Sequence, residues 1–141
     1  MAFRAHLKVR FADIDNAGIV YYPRFLDYFH IALEELFSSE LGIDYATVLH
    51  QHRFGFPTVH LESDFRRPLR FGDQIEVEVR VLKIGRTSIT WGYTTYLSGE
   101  EQTLVVTGHN VTVCLDLDRF VKMEIPAWFR RVLEEYQARC D

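Results

Sequence analysis

The 141-residue sequence predicts one α+β domain, a curled antiparallel sheet of about five strands wrapped around a long helix. Three observations predict it. One long apolar helix is written near the N-terminus, between residues 23 and 38. The hydrophobic period then switches from 3.6 to 2 and stays there from Gly55 to Leu115. An amphipathic helix closes the chain after Pro126. Helices segregated from a strand meander read as α+β, because a parallel α/β sheet needs them interleaved. A chain of this length typically buries roughly 68–70% of its unfolded surface, so a single core across residues 1–141 suffices.

Residues 4–12 read as a short strand and DIDNAG at 13–18 as a loop. Pro23 suits a first helical turn, where its missing N–H costs nothing. The segment PRFLDYFHIALEELFS carries apolar residues at 25, 26, 28, 29, 31, 32, 33, 36 and 37. Only a narrow polar stripe of Arg24, Asp27, His30 and Glu34 remains, which predicts a helix enclosed by protein. Ser39 to Gly42 end it, and 44–52 fit a second, shorter helix. Val59, Leu61 and Phe65 alternate with His60, Glu62, Asp64 and Arg66, and Ile75, Val77, Val79 and Val81 alternate with Glu76, Glu78 and Arg80. Such alternation is the signature of half-buried strands. Residues 87–97 and 103–115 continue it, joined at Ser98-Gly99-Glu100 as a hairpin, with FGD (71–73) and IGR (84–86) as further turns. The terminal helix carries Trp128, Phe129, Val132, Leu133 and Tyr136.

A net charge of −4 gives no global attraction to nucleic acid or to an anionic membrane. No run of 18 apolar residues proposes a membrane span, and MAFRAHLKVRF lacks the apolar core of a secretory signal. Cys114 and Cys140 stand in no CxxC, so neither a disulfide nor a zinc framework is expected, and the chain reads as cytoplasmic and reduced. Twenty aromatics, 14% of the chain, exceed what a small core needs, so some are expected to line a pocket or a subunit interface. A sheet of about five strands does not close into a barrel, so an exposed edge is expected, covered by a second subunit pairing edge to edge.

Chemistry concentrates in Asp13-Ile14-Asp15-Asn16-Ala17-Gly18-Ile19-Val20-Tyr21-Tyr22-Pro23. Two carboxylates and a glycine loop directly precede the N-terminus of the long helix. First-turn N–H groups point out unsatisfied and carry partial positive charge, which makes an oxyanion site for a carbonyl under attack. A carboxylate held beside it attacks that carbonyl or deprotonates a water. Asp-x-Asp-x-x-Gly also opens like a calcium loop, but Ala17 and Arg24 occupy positions that calcium needs as ligands. A metal for a nucleotide sugar would want a βαβ pattern the chain lacks. Capping of a turn by Asp13 or Asp15 explains the spacing equally well.

The stretch from Val9 to Phe37 resembles the 4-hydroxybenzoyl-CoA thioesterase family of the hotdog fold. The resemblance runs on through Gly55-x-Pro57, Arg67-Pro68…Phe71-Gly72-Asp73 and Ile125-Pro126. It implies an acyl-CoA thioesterase acting on an aromatic or short- to medium-chain acyl group, with no cofactor. Asp15 then falls on the catalytic carboxylate, as nucleophile or general base, and the Tyr22 N–H on the oxyanion donor. Asp13 supports the loop. Many relatives carry His where this chain has Tyr22, whose ring then meets the acyl group beside Tyr21. His30, two turns along the helix, falls where relatives meet a ring substituent; a core histidine bonded to a carbonyl is the competing reading. Lys83 and Arg86 fall on the turn from which the family recruits cations for the CoA phosphates, sometimes across a subunit boundary. Arg66, Arg67 and Arg70 form a second basic cluster, and Thr58 and Thr87 offer polar contacts. Of the rings, Tyr21, Tyr22, Phe25, Phe54, Phe56, Trp91 and Tyr93 suit an aryl or medium-chain acyl group, or core filling. His60 and His109 sit on strands as structural or solvent-facing groups, and no two histidines have a metal-ligand spacing with a carboxylate to match, so no metal is expected. A homodimer assembling to a homotetramer is implied. A noncatalytic acyl-CoA or fatty-acid binding module on the same fold, and a thioesterase for acyl carrier protein, are the alternatives.

Overall fold

The computed structural model describes residues 1–99 and 101–140. Glu100 and Asp141 lie outside the described residues, and the predicted Ser98-Gly99-Glu100 turn is described only as far as Gly99. The first strand, β1 (Phe3–Lys8), stops short of the expected residue 12. Asp13 is the reason: its Oδ2 accepts from the Arg10 N–H (2.9 Å), and its own N–H donates to the Arg10 carbonyl (2.9 Å). That closes a 3₁₀ turn over Phe11–Asp13, a local bond that outcompetes the ladder.

Helix α1 (Pro23–Leu36) begins at its proline and runs through a π turn, Phe37–Leu41. Gly42 ends it at φ 75°, a left-handed cap open to glycine at no steric cost. Phe25, Tyr28, Phe29, Ala32, Leu33 and Leu36 face the sheet. The opposite face is open, with Arg24, Asp27, His30, Ile31, Glu34 and Glu35 exposed, so one chain does not enclose this helix as expected. A short α2 (Tyr45–Thr47) and a second π turn follow where the second helix was expected.

The main sheet has five strands in the order β1-β4-β5-β6-β3, all antiparallel: β3 (Thr58–Phe65), β4 (Gln74–Ile84), β5 (Ser88–Leu97) and β6 (Thr103–Val113) join β1. Three two-residue strands, β2 (Phe54–Gly55), β7 (Leu115–Asp116) and β8 (Val121–Lys122), form a small second sheet. Helix α3 (Ala127–Arg139) buries Phe129, Leu133 and Tyr136 against β4 and the π turn. The Tyr136 hydroxyl accepts from the Phe3 N–H (2.8 Å) and donates to the Val79 carbonyl (2.6 Å), locking β1 to β4. Phe29 of α1 stacks on Tyr93 of β5 at 4.7 Å. A Cβ at Gly108 would lie 2.8 Å from the Phe29 ring, so only glycine lets α1 approach the sheet this closely.

Two expectations change here. Half of the twenty rings are buried, and Phe37, Phe54, Phe56, Trp91 and Phe129 form one cluster under α3. Much of the aromatic surplus therefore fills the core, and Phe54, Phe56 and Trp91 are not available to an acyl group. The strand β3 is not half-buried: Val59 is 62% and Phe65 49% exposed, because β3 forms an edge with no neighbour on its far side among the described residues.

Cys114 and Cys140 are free thiols, both buried. Burial pushes the Cys114 thiol up to about 11, partly offset by the Arg130 charge. At pH 8 about one Cys114 in a thousand is then thiolate, the reactive form. Iodoacetamide is expected to leave Cys114 unmodified in the native protein at pH 8 and to label it in urea. Peptide mapping by mass spectrometry reads this directly, and rapid native labelling would contradict the burial.

Candidate active site

The loop between β1 and α1 is built by its own side chains. An isolated bridge pairs Ile14 with Val20, and Gly18 takes φ 80° to turn the chain back. The Asp15 N–H donates to the Ile19 carbonyl (2.9 Å), and the Gly18 N–H donates to the Asp15 carbonyl (3.0 Å). Asp15 Oδ1 accepts from the Ala17 N–H at 2.8 Å, an Asx turn that fixes the carboxylate. Asp15 Oδ2 has no partner among the described residues, and the side chain is exposed. Thus one oxygen positions the group and the other is available.

Asp13 is differently placed. Its Oδ2 accepts from the Tyr28 hydroxyl (2.8 Å) as well as from Arg10, and Oδ1 lies 4.0 Å from Arg24 Nε. Burial, then the Asp13 hydrogen bond, push the Tyr28 hydroxyl well above the usual tyrosine range, so it remains a donor. Asp13 ties the loop to α1 and has no idle oxygen.

At the helix start, the Arg24 N–H donates to the Tyr21 carbonyl (2.8 Å) and the Phe25 N–H to the Tyr22 carbonyl (3.1 Å). Pro23 has no N–H. No side chain caps the helix, and the Tyr22 N–H has no acceptor among the described residues. It is the one first-turn donor left over, at the positive end of a 14-residue helix. The Tyr22 ring, 63% exposed, meets Tyr21 at 5.4 Å and Phe65 at 6.5 Å, and Phe65 meets Phe25 at 5.3 Å. These rings form an apolar platform running from the loop to the β3 edge.

Beyond the platform, Leu26, Phe29, His30, Thr58, Leu61, Tyr93 and Asn110 line a recess of about 170 Å³ between α1 and β3. The Tyr93 hydroxyl donates to Asn110 Oδ1 (2.9 Å), and Asn110 Nδ2 donates to Thr58 Oγ1 (3.0 Å). His30 is no core histidine: its Nε2 lies 2.9 Å from Glu34 Oε2 and its ring stands edge-on to Tyr45. The fold therefore unites His30 and Thr58 as candidates and adds Asn110. The only trace of Asn110 in the sequence is a polar residue at an inward position of a strand.

A larger cleft of about 760 Å³ lies on the other flank of α1, lined by Lys8, Arg10, Asp13, Arg24, Asp27 and Tyr28 among others. Its carboxylates are each held by a neighbour, Asp13 by Tyr28 and Asp27 by Arg24 at 3.3 Å. Volume alone does not make it the reaction centre.

The basic residues divide by sheet end. Lys8 pairs with Gln74 near the loop, whereas Lys83 sits nine residues further along β4, a separation of about 30 Å at ~3.3 Å per residue. Lys83, Arg86 and Thr87 thus stand at the opposite end from Asp15, with Arg86 exposed and 3.0 Å from Glu124. Arg66, Arg67 and Arg70 stand at the near end, in the segment whose Leu69 carbonyl accepts from the Val20 N–H.

A carboxylate with one idle oxygen, an unpaired N–H at a helix start and an apolar platform suit attack on an ester or thioester carbonyl. Relatives bear on that chemistry. Residues 9–133 match the thioesterase-like superfamily. The 1,4-dihydroxy-2-naphthoyl-CoA hydrolase of Nostoc punctiforme is 31% identical over 89% of this chain and 82% of its own length. The crystal structure of a 1,4-dihydroxy-2-naphthoyl-CoA thioesterase from Synechocystis superposes with a TM-score of 0.85 at 26% identity, covering 96% of this chain and 97% of that one. A gentisyl-coenzyme A thioesterase structure superposes at 0.82 and 25% identity, over 93% and 99% of the two chains.

Proposed function

Since the chain belongs to the thioesterase-like superfamily and is a thioester hydrolase of hotdog fold, we propose that it cleaves an aromatic acyl-CoA bearing ring hydroxyls. The observations that carry this reading are the idle Asp15 oxygen and the unpaired Tyr22 N–H, both in the one loop that leads into α1. Asp15 supplies an electron pair to the thioester carbon directly, or takes a proton from the water that attacks it. Charge builds on the carbonyl oxygen, to which the Tyr22 N–H donates a preorganised hydrogen bond; loss of one such donor costs roughly 3–4 kcal/mol of barrier. The C–S bond breaks and CoA leaves as thiolate, taking up a proton. On the direct route the acyl group is then an anhydride on Asp15, which water opens to release the acid and restore the carboxylate; on the base-assisted route the acid forms at once.

All three named relatives are named for hydroxylated aromatic acyl groups, dihydroxynaphthoyl or gentisyl. In this chain Tyr22 and Phe65 supply a surface for a ring, backed by the buried Phe25, and His30, Thr58 and Asn110 supply hydrogen-bonding groups in the recess between α1 and β3. The chain acts as one cytoplasmic domain over residues 1–141.

Two copies pair through β3. Its outer edge carries unpaired N–H and C=O groups and exposed Val59, Leu61 and Phe65, continuous with the open face of α1. Antiparallel pairing sets the Phe65 end of one β3 against the Thr58 end of its mate. The partner subunit's Lys83 and the partner subunit's Arg86 then come to the same end of the joined sheet as Asp15, where they hold the CoA phosphates. Two such dimers form a homotetramer.

Thiol release from a panel of acyl-CoAs tests the reading. Hydroxylated aroyl-CoAs are expected to exceed straight-chain esters by at least about tenfold in kcat/KM, the worth of a few well-placed contacts. The same acyl group on acyl carrier protein is expected to react more slowly. Preference for the aliphatic esters removes the aryl assignment, and binding without turnover of any ester leaves a noncatalytic module.

A further inference from the structure

We propose that His60, Glu62 and His109 bind one divalent cation of the zinc class, which clips the edge strand β3 to β6. His60 and Glu62 are two residues apart on β3 and so share a face. Glu62 pairs across the ladder with His109 of β6. Linear spacing hides this set, because the second histidine arrives from another strand. Glu62 Oε2 lies 2.9 Å from His109 Nε2 and 3.3 Å from His60 Nε2, and the three donor atoms all lie within 4.8 Å of one another. Donor atoms about 2.0–2.1 Å from a tetrahedral zinc stand about 3.4 Å apart, so small side-chain rotations enclose the ion.

The chemistry selects the metal. Two imidazoles and one carboxylate are a zinc donor set, whereas calcium and magnesium require oxygen ligands throughout. Without metal, one carboxylate serves both imidazoles; a cation takes up all three groups at once, and a water completes its coordination. The side chains are exposed or half-buried, so an ion reaches them.

The site is separate from the hydrolytic one. Tyr93 and Gly108 face Phe29 and α1, so their neighbours Gly92 and His109 point to the outer face of the sheet, where Leu82 covers Gly92. Glu62 and His109 border a groove of about 510 Å³ on that outer face. The inference therefore goes beyond hydrolysis and does not rest on it.

Chelator-stripped full-length protein, titrated with zinc sulfate against a chromogenic chelator, is expected to bind one zinc per chain. Cobalt(II) is expected to give the visible absorption of a four-coordinate site. His60→Gln, Glu62→Gln and His109→Gln, all surface changes, should each weaken zinc by at least about tenfold and abolish a zinc-induced rise in Tm. His6→Gln, remote on β1, should alter neither. Zinc binding unchanged in the His109→Gln and Glu62→Gln variants, or no zinc bound by the wild type in tenfold excess of metal, overturns the proposal.

Discussion

Replacing Asp15 by asparagine is expected to lower kcat for the best aroyl-CoA by about 10³–10⁴-fold, near the upper range for one positioned base or nucleophile. The change is nearly isosteric. Its carbonyl oxygen still accepts from the Ala17 N–H, so the Asx turn that shapes the loop persists. What disappears is the electron pair on Oδ2, the one carboxylate oxygen of the motif with no structural employment among the described residues. The expected pattern is therefore a collapsed kcat, a KM within a few-fold of wild type and an unchanged Tm. Single-turnover hydrolysis in ¹⁸O-water separates the two roles. Label in the Asp15 side chain marks a nucleophile whose anhydride is opened at the Asp15 carbonyl. Label in the product acid alone fits a general base or an anhydride opened at the acyl carbonyl, and rapid-quench trapping of an acyl-Asp15 peptide tells these two apart. Turnover within tenfold of wild type would remove Asp15 from the mechanism.

That prediction rests on residues contiguous in sequence, which is why they were legible there. Asp13, Asp15, Gly18, Tyr22 and Pro23 specify their own loop through Asx turns, one left-handed glycine and a proline-started helix, all short-range effects. The α+β class was legible because each period, 3.6 and then 2, is local. Strand order is not. The alternation Val59-Leu61-Phe65 has the same form whether its apolar side meets the chain's own helix or a second subunit, and only the order β1-β4-β5-β6-β3 reveals an exposed edge. Asn110, Thr58 and His30 meet from three separate segments. His60, Glu62 and His109 meet through one register. Aromatic content indicated surplus bulk but not its address: Phe54, Phe56 and Trp91 proved to be core, and Tyr21, Tyr22 and Phe65 lie on the surface by the loop.

Strand order also divides the proposed site between two chains, with a consequence that mixing experiments read. Asp15 and Tyr22 stand at one end of the sheet, and Lys83 and Arg86 stand about 30 Å away along β4. A single chain cannot present both to one CoA, but a two-fold pairing through β3 makes two equivalent sites, each with the loop of one subunit and the basic turn of the other. Lys83→Ala/Arg86→Ala is expected to lower kcat/KM by about 10²-fold, since each charge-assisted phosphate contact is worth about 1.5–3 kcal/mol. Asp15→Asn is expected to be nearly inactive for the reason given above. Unfolded and refolded together in equal amounts, the two variants assort at random, so half of the dimers are mixed. A mixed dimer holds one site with both defects and one with neither, and activity is expected to return to about a quarter of wild type. If Arg66, Arg67 and Arg70 of the same chain hold the phosphates instead, Lys83→Ala/Arg86→Ala stays active before mixing and the mixture falls to its average. If the cations act within one chain at Lys83 and Arg86, mixing restores nothing. Only a site shared across the β3 edge converts two impaired proteins into an active one.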